Sequence, residues 1–191
     1  MHYIRTAAVC GLILPILAGA AFAQQAAGPP PMTPPPMTLT STSFMDGGIL
    51  ADKNTALSAK PLSPELSWAN APAKTVSFAL IVHDIDADPF PTIGHLHWGL
   101  FNIPGNVQAL AEGQPNVPQL PDGSIQIAAP KVVGYRGPGY AGSKYHHYSF
   151  ELYALDTKLP LGPDATGDDL FKAMNGHIIS QAADMARAHR L

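Results

Sequence analysis

The stretch Thr-Val-Ser-Phe-Ala-Leu-Ile-Val-His-Asp, residues 75–84, gives the strongest strand signal in the chain. Successive side chains of a strand point to opposite faces. Phe78 and Leu80 fall on one face here, and Ala79 and Ile81 on the other, so both faces are mainly apolar. A strand with two apolar faces is typical of the centre of a sheet that is covered on both sides. The stretch therefore predicts a mainly β fold around a buried central strand.

Further short apolar runs, cut by Gly, Pro and Asx turns, lie on both sides of this strand. Residues 37–44, 95–103 and 148–155 are predicted as strands, and Trp68 is predicted to bury its ring at the start of another. Short strands separated by such turns are typical of an all-β sandwich or barrel.

The pattern changes near the end of the chain. Between residues 168 and 188, apolar side chains recur at helical spacing, and Asp168 is of a residue type that caps helix N-termini. We predict a C-terminal amphipathic helix that packs on the sandwich.

The first 23 residues have the features of a secretory leader. Arg5 precedes an apolar run that is too short for a membrane span, and Ala21 and Ala23 match the small-residue pattern before a signal-peptidase site. We expect cleavage after Ala23 and a periplasmic or secreted mature protein. An uncleaved anchor is the alternative, and it would need a longer apolar run.

Residues 24–37 carry two proline triplets, which favour polyproline II and cannot join a sheet interior. We predict a disordered tail or spacer there, followed by a single domain over residues 38–191. The one cysteine, Cys10, lies in the leader, so the mature domain is expected to be stable by core packing alone. A formal net charge of −3 argues against a nucleic-acid partner.

Polar side chains gather where the predicted strands meet loops, which is a usual place for a binding pocket. Residues two apart in a strand share a face, and this parity assigns three polar pairs to one face each: Asp84 with Asp86, His95 with His97, and His146 with Tyr148. The same parity assigns Leu96 and Trp98 together to the face opposite the two histidines of their strand. Residues 134–140 form a glycine-rich loop whose backbone N–H groups, with imidazoles and phenols, would suit a phosphate or carboxylate.

Four motifs lie in these segments: Asp-Ile-Asp-Ala at 84–87, Gly-His-Leu-His-Trp at 94–98, Gly-Pro at 137–138 and His-His-Tyr at 146–148. In this order and spacing they resemble those of the phosphatidylethanolamine-binding proteins, specifically of their bacterial Raf-kinase-inhibitor-like branch. The likeness extends over nearly the whole chain from Thr38. The resemblance implies a β-sandwich with a large central sheet, a smaller second sheet and peripheral helices, including the one at the C-terminus.

The resemblance also implies a small anion pocket without a cofactor. The residues that match the family's pocket by position are Asp84, Asp86, His97, Pro138, His146 and Tyr148. The chain departs from the family pattern at Asp88, where a proline is usual, and at His147, where another basic residue is usual.

These residues support a non-catalytic protein that binds a small anion or a phospholipid head group such as phosphoethanolamine. In this hypothesis the histidines and Tyr148 donate hydrogen bonds to the anion. Asp84 accepts from His97 or His146, and Asp86 fixes its loop or meets an ammonium group.

Two other classes of function stay open from the sequence. An enzyme would use a metal held by His95, His97 and His146, or Ser143 with a histidine. A protein-interaction role would be that of an extracytoplasmic kinase or protease inhibitor. The resemblance further implies a homodimer.

Overall fold

The computed structural model describes residues 34–87, 95–129, 132–139 and 141–189. The predicted leader with Cys10, residues 24–33 of the proline-rich tail, and Asp88 lie outside these described residues. Met37, the last residue of the predicted tail, is buried in the core. No helix in the described part of the chain is long and apolar enough to span a bilayer.

Two sheets form the described part of the protein. The strands are β1 (Thr38–Thr40), β2 (Gly48–Ile49), β3 (Leu66–Ala69), β4 (Ser77–Asp84), β5 (Leu96–Pro104), β6 (Ala109–Leu110), β7 (Ile125–Ala129), β8 (Val132–Val133), β9 (His146–Leu155) and β10 (Ile178–Ala188). The small sheet has the order β1-β3-β6, and the large sheet β2-β10-β9-β4-β5-β7-β8. One short 3₁₀ turn (Asp52–Asn54) and helix α1 (Gly167–Met174) complete the elements of the described segments.

Strand β4 has the buried, doubly covered position that its sequence predicts. Its Phe78 and Leu80 pack in one apolar cluster with Trp68 of the small sheet. Its Ala79 and Ile81 pack in a second cluster that includes residues of α1. These four side chains are fully buried. The sandwich and its two layers are therefore confirmed.

The predicted C-terminal helix over residues 168–188 is wrong beyond its first two turns. Helix α1 ends at Met174 and begins after the cap Thr166, whose side chain accepts from the backbone N–H of Asp169. Gly176 then adopts φ +82°, and residues 178–188 form β10 instead. This strand pairs along almost its whole length with β9, and those backbone hydrogen bonds outweigh the weak helical pattern of an alanine-rich segment.

The ends of three neighbouring central strands meet at one end of the large sheet. The end of β4 pairs with the start of β9, with Asp84 opposite Tyr148. The start of β5 lies on the other side of β4, with His83 opposite Leu96. The topology thus brings together all three polar pairs that parity singled out.

Candidate functional site

A cavity of about 730 Å³ opens where these strands end. Five of the six residues implied by the sequence resemblance line it: Asp84, Asp86, His97, His146 and Tyr148. His95, Arg136 and Gly139 also contribute to its wall. The residues of its wall therefore carry carboxylates, imidazoles, a phenol and a guanidinium group.

Asp84 is the buried centre of a hydrogen-bond network. Its Oδ1 accepts from the backbone N–H groups of Asp86 and Ala87, at 3.0 and 3.1 Å. Its Oδ2 lies 2.8 Å from Nδ1 of His146. Asp84 thus fixes the turn after β4 and orients His146, and it contacts His146 rather than His97.

Asp86 lines the cavity and is paired with His147. Its Oδ2 lies 2.7 Å from both the backbone nitrogen and Nδ1 of His147. Burial opposes ionisation, but the hydrogen bonds from His147 outweigh it and hold the pKa of Asp86 below its ordinary value. His147 thus contacts the site through Asp86, which lines the cavity.

His97 is buried and tightly held. Its Nδ1 lies 2.8 Å from the carbonyl oxygen of Arg136, while its own carbonyl accepts from the Arg136 N–H at 2.8 Å. Its ring meets that of Tyr148 edge-on, with the centroids 5.1 Å apart. Burial lowers the pKa of His97 to about 4, so the imidazole is neutral at pH 7.

A β-bulge gives His97 its direction. Val82 and His83 are neighbours on β4, yet they pair with Trp98 and Leu96, so β5 has one extra residue between these two. The bulge breaks the alternation that parity assumed, since Trp98 and Leu96 pack in different apolar clusters instead of sharing a face. Bulges often re-aim a side chain beside a functional site, and here the re-aimed residue is His97.

Comparison with known proteins identifies the family. Residues 40–188 match the sequence model of the family described as phosphatidylethanolamine-binding protein. The chain belongs to the phosphatidylethanolamine-binding protein family. This confirms the resemblance seen in the sequence, and membership supports binding as the general function.

Relatives and solved structures within the family agree. The UPF0098 protein of Methanothermobacter thermautotrophicus is 41% identical over 147 residues, which are 76% of this chain and 94% of that protein. The UPF0098 protein YbcL of Escherichia coli K12 is 38% identical over 128 residues, 63% of this chain and 67% of YbcL. The bacterial branch expected from the sequence is therefore confirmed.

Two crystal structures show the same fold. That of Escherichia coli YbcL gives a TM-score of 0.70 at 30% identity and covers 81% of this chain and 99% of YbcL. That of the phosphatidylethanolamine-binding protein homolog CT736 from Chlamydia trachomatis gives 0.69 at 30% identity, covering 82% and 99%.

Pro138, the sixth residue matched to the family's pocket, does not line the cavity. It is buried, and its carbonyl oxygen accepts from the backbone N–H of Ala56 at 2.8 Å. Its role in the wall is indirect, because this bond holds the loop that carries Arg136 and Gly139 against the neighbouring segment.

Arg136 is the site residue that the family resemblance and the strand parity both missed. The sequence interpretation treated residues 134–140 as a source of backbone N–H groups and gave Arg136 no role. The structure places Arg136 in the wall of the cavity. The available signal was a single cation inside a glycine-rich loop that lies between two strands with histidines.

The residues proposed for an enzyme are arranged differently from that hypothesis. Among the described residues, the group that could hold a metal is Asp84, Asp86 and His146, with ligand atoms within 4.8 Å of one another, and it excludes His95 and His97. Hydrogen bonds already occupy both carboxylates of that group. Ser143 is exposed and does not line the cavity.

Proposed function

We propose that this family member is a non-catalytic binding protein that takes a small anionic group in the cavity where β4 ends and β5 and β9 begin. The ligand class is a phosphate-like or carboxylate-like group, free or as part of a phospholipid head group. A zwitterion such as phosphoethanolamine suits the site as well, because the partly exposed carboxylate of Asp86 lies in the wall and could meet its ammonium group.

The charge balance around Arg136 carries this proposal. The two carboxylates that line the cavity are paired with histidines, Asp84 with His146 and Asp86 with His147. Among the described residues, no carboxylate forms an ion pair with Arg136. An arginine in the wall of the cavity, with no ion-pair partner among the described residues, is a ready partner for phosphate or carboxylate oxygens.

Calorimetry on the full-length protein with phosphate, phosphoethanolamine and acetate tests the proposal. Arg136→Gln should weaken phosphate affinity by about tenfold or more, because a charge-assisted hydrogen bond contributes about 1.5–3 kcal/mol. Lys158→Gln removes the same charge from an exposed position away from the cavity and serves as the matched control. No heat with any of the three ligands, or equal affinities for the two variants, would contradict the proposal.

We also propose that the protein acts outside the cytoplasm, on the strength of the leader pattern in residues 1–23. Mass spectrometry of the exported fraction should find a chain that begins at Gln24. Recovery of a chain that retains Met1 would count against export by cleavage.

A further inference from the structure

The hydrogen bond made by His97 fixes which ring nitrogen carries a proton. Nδ1 lies 2.8 Å from the carbonyl oxygen of Arg136. A carbonyl oxygen can only accept, so Nδ1 must donate its hydrogen there. The Arg136 N–H in turn donates to the carbonyl of His97, and this pair of backbone-anchored bonds keeps the acceptor in position.

The surroundings of His97 disfavour a second proton on the ring. The residue is 4% exposed and its ring meets Tyr148 edge-on. The cationic Arg136 and the neighbouring His95 oppose a positive charge on the ring. The carboxylate of Asp84 favours a positive charge on the ring, but it already forms hydrogen bonds with His146 and two backbone N–H groups. Burial is the largest effect, and it lowers the pKa of His97 to about 4.

A neutral imidazole that donates through Nδ1 offers Nε2 as an acceptor. His97 lines the cavity, and among the described residues its hydrogen-bond partner is the Arg136 carbonyl at Nδ1. A ligand oxygen without a hydrogen opposite Nε2 would bring two acceptors together and leave both unsatisfied, which weakens binding. A ligand that bears a hydrogen at that point makes a bond instead.

We propose that His97 accepts a hydrogen bond from the ligand, and that the cavity therefore takes a phosphate group that keeps a P–OH hydrogen in preference to an anion that carries none. This rests on the anion site proposed above. One ionised ligand oxygen faces Arg136, and the P–OH group donates to Nε2 of His97. The role is the reverse of the donor role that the sequence interpretation gave to this histidine.

Inorganic phosphate and sulfate are the matched probes for this proposal. They have similar shape, and at about pH 8 both are dianions, but inorganic phosphate keeps one P–OH hydrogen whereas sulfate carries none. Wild-type protein should bind phosphate about tenfold or more tightly than sulfate across about pH 6 to pH 8. The ratio cancels the titration of other groups near the cavity, because both anions meet the same protein at each pH.

His97→Gln provides the second arm, since a side-chain amide can turn to donate or to accept. The variant should bind both anions with affinities within about threefold of each other across the pH range. Equal phosphate and sulfate affinities in the wild type would overturn the proposal and leave the anion site standing. No binding of either anion at any pH would contradict both the anion site and this proposal.

The tautomer itself has a direct readout that does not depend on the variant folding. Imidazole nitrogen NMR on the wild type should show His97 with a protonated Nδ1 and an unprotonated Nε2 between about pH 6 and pH 8. A protonated Nε2 in that range would overturn the proposal.

Discussion

Asp84 is the residue on which the geometry of the cavity depends most. Its two carboxylate oxygens accept three hydrogen bonds that join the turn after β4 to the first residue of β9. Neither a shorter nor a neutral side chain can reproduce this pattern, because both oxygens act only as acceptors.

Replacement of Asp84 by Asn tests this dependence. The amide must point its NH₂ group either at the Nδ1–H of His146 or at the two backbone N–H groups, so one set of hydrogen bonds is lost. We expect Tm to fall by several degrees and phosphate affinity to fall about tenfold, measured by calorimetry. Asp156→Asn is the matched control, because Asp156 makes a similar 2.9 Å contact with His177 on the exposed surface. Wild-type phosphate affinity in Asp84→Asn would contradict this role.

The sequence predicts a structural feature well when the pattern that determines it lies within one segment of the chain. Parity in residues 75–84 predicted β4 and its two covered faces correctly, because alternation within one strand is a local property. The same reasoning failed at Leu96 and Trp98, because the bulge at His97 is defined by pairing with β4 and leaves no mark on β5 alone. Arg136 was missed for a similar reason, since the loop that carries it is positioned by distant partners.

At the scale of elements, β10 shows the limit of periodicity. Alanine and methionine suit a helix by propensity, yet the segment lies between β2 and β9 as a strand. Within it the burial alternates, with Asp184, Ala186 and Ala188 buried, and this period of two was hidden by apolar residues that also fit a helical spacing.

The pairing of β4 with β9 supports a polar cluster on the face of the sheet that faces away from the small sheet. Glu151 of β9 accepts hydrogen bonds from Ser149 and Tyr153 on its own strand, and it contacts His83 of β4 at 3.1 Å. Burial opposes ionisation, but these hydrogen bonds outweigh it and lower the pKa of Glu151 from 4.5 to about 2.

This cluster should make the stability of the fold depend on acid pH. A carboxyl whose pKa is lower in the folded than in the unfolded state stabilises the fold fully above pH 4.5, and that contribution is lost as pH falls toward about 2. Glu151→Gln should therefore lower the free energy of unfolding at pH 7 by about 1–2 kcal/mol, with the difference from wild type shrinking below pH 4.5.

Chemical denaturation at a series of pH values measures this difference. Glu112→Gln is the control, because Glu112 forms its ion pair with Lys53 on the exposed surface and should change stability little. A gap between wild type and Glu151→Gln that stays constant from pH 7 to about pH 2 would refute the explanation.

At the scale of the whole molecule, the segment after β1 is tied to the last strand of the large sheet. Gly47 donates to the carbonyl of Met185 at 2.7 Å, and the Nε of Arg187 donates to the carbonyl of Gly47 at 2.8 Å. Two carboxylates also meet here, since Asp46 and Asp184 both accept from the Met185 N–H. Burial of Asp184, reinforced by the nearby Asp46, raises its pKa from 3.8 to about 6.

A raised carboxyl pKa means that the folded state holds its proton more tightly than the unfolded state does. Stability is therefore lost as pH rises from about 4 to 6, and it stays reduced above that range. Asp184→Asn keeps an acceptor for Met185 and avoids this loss. We expect the variant to have a Tm higher by about 2–4 °C at pH 8 and close to wild type at pH 3.5, measured by calorimetry. A lower Tm at pH 8 would show that the carboxylate is needed there in its charged form.

The position of β9 in the large sheet also determines at which stage of folding the cavity forms. Asp84 and His146 are 62 positions apart in the chain, and the sheet between them closes only when β9 docks on β4. Pairing over such a separation is slow, because the entropy of closing the loop is lost before any contact compensates it. Ligand recognition is thus a property of the completed sheet, and a ligand that binds only this state should slow unfolding and protect the chain from proteolysis in proportion to its occupancy.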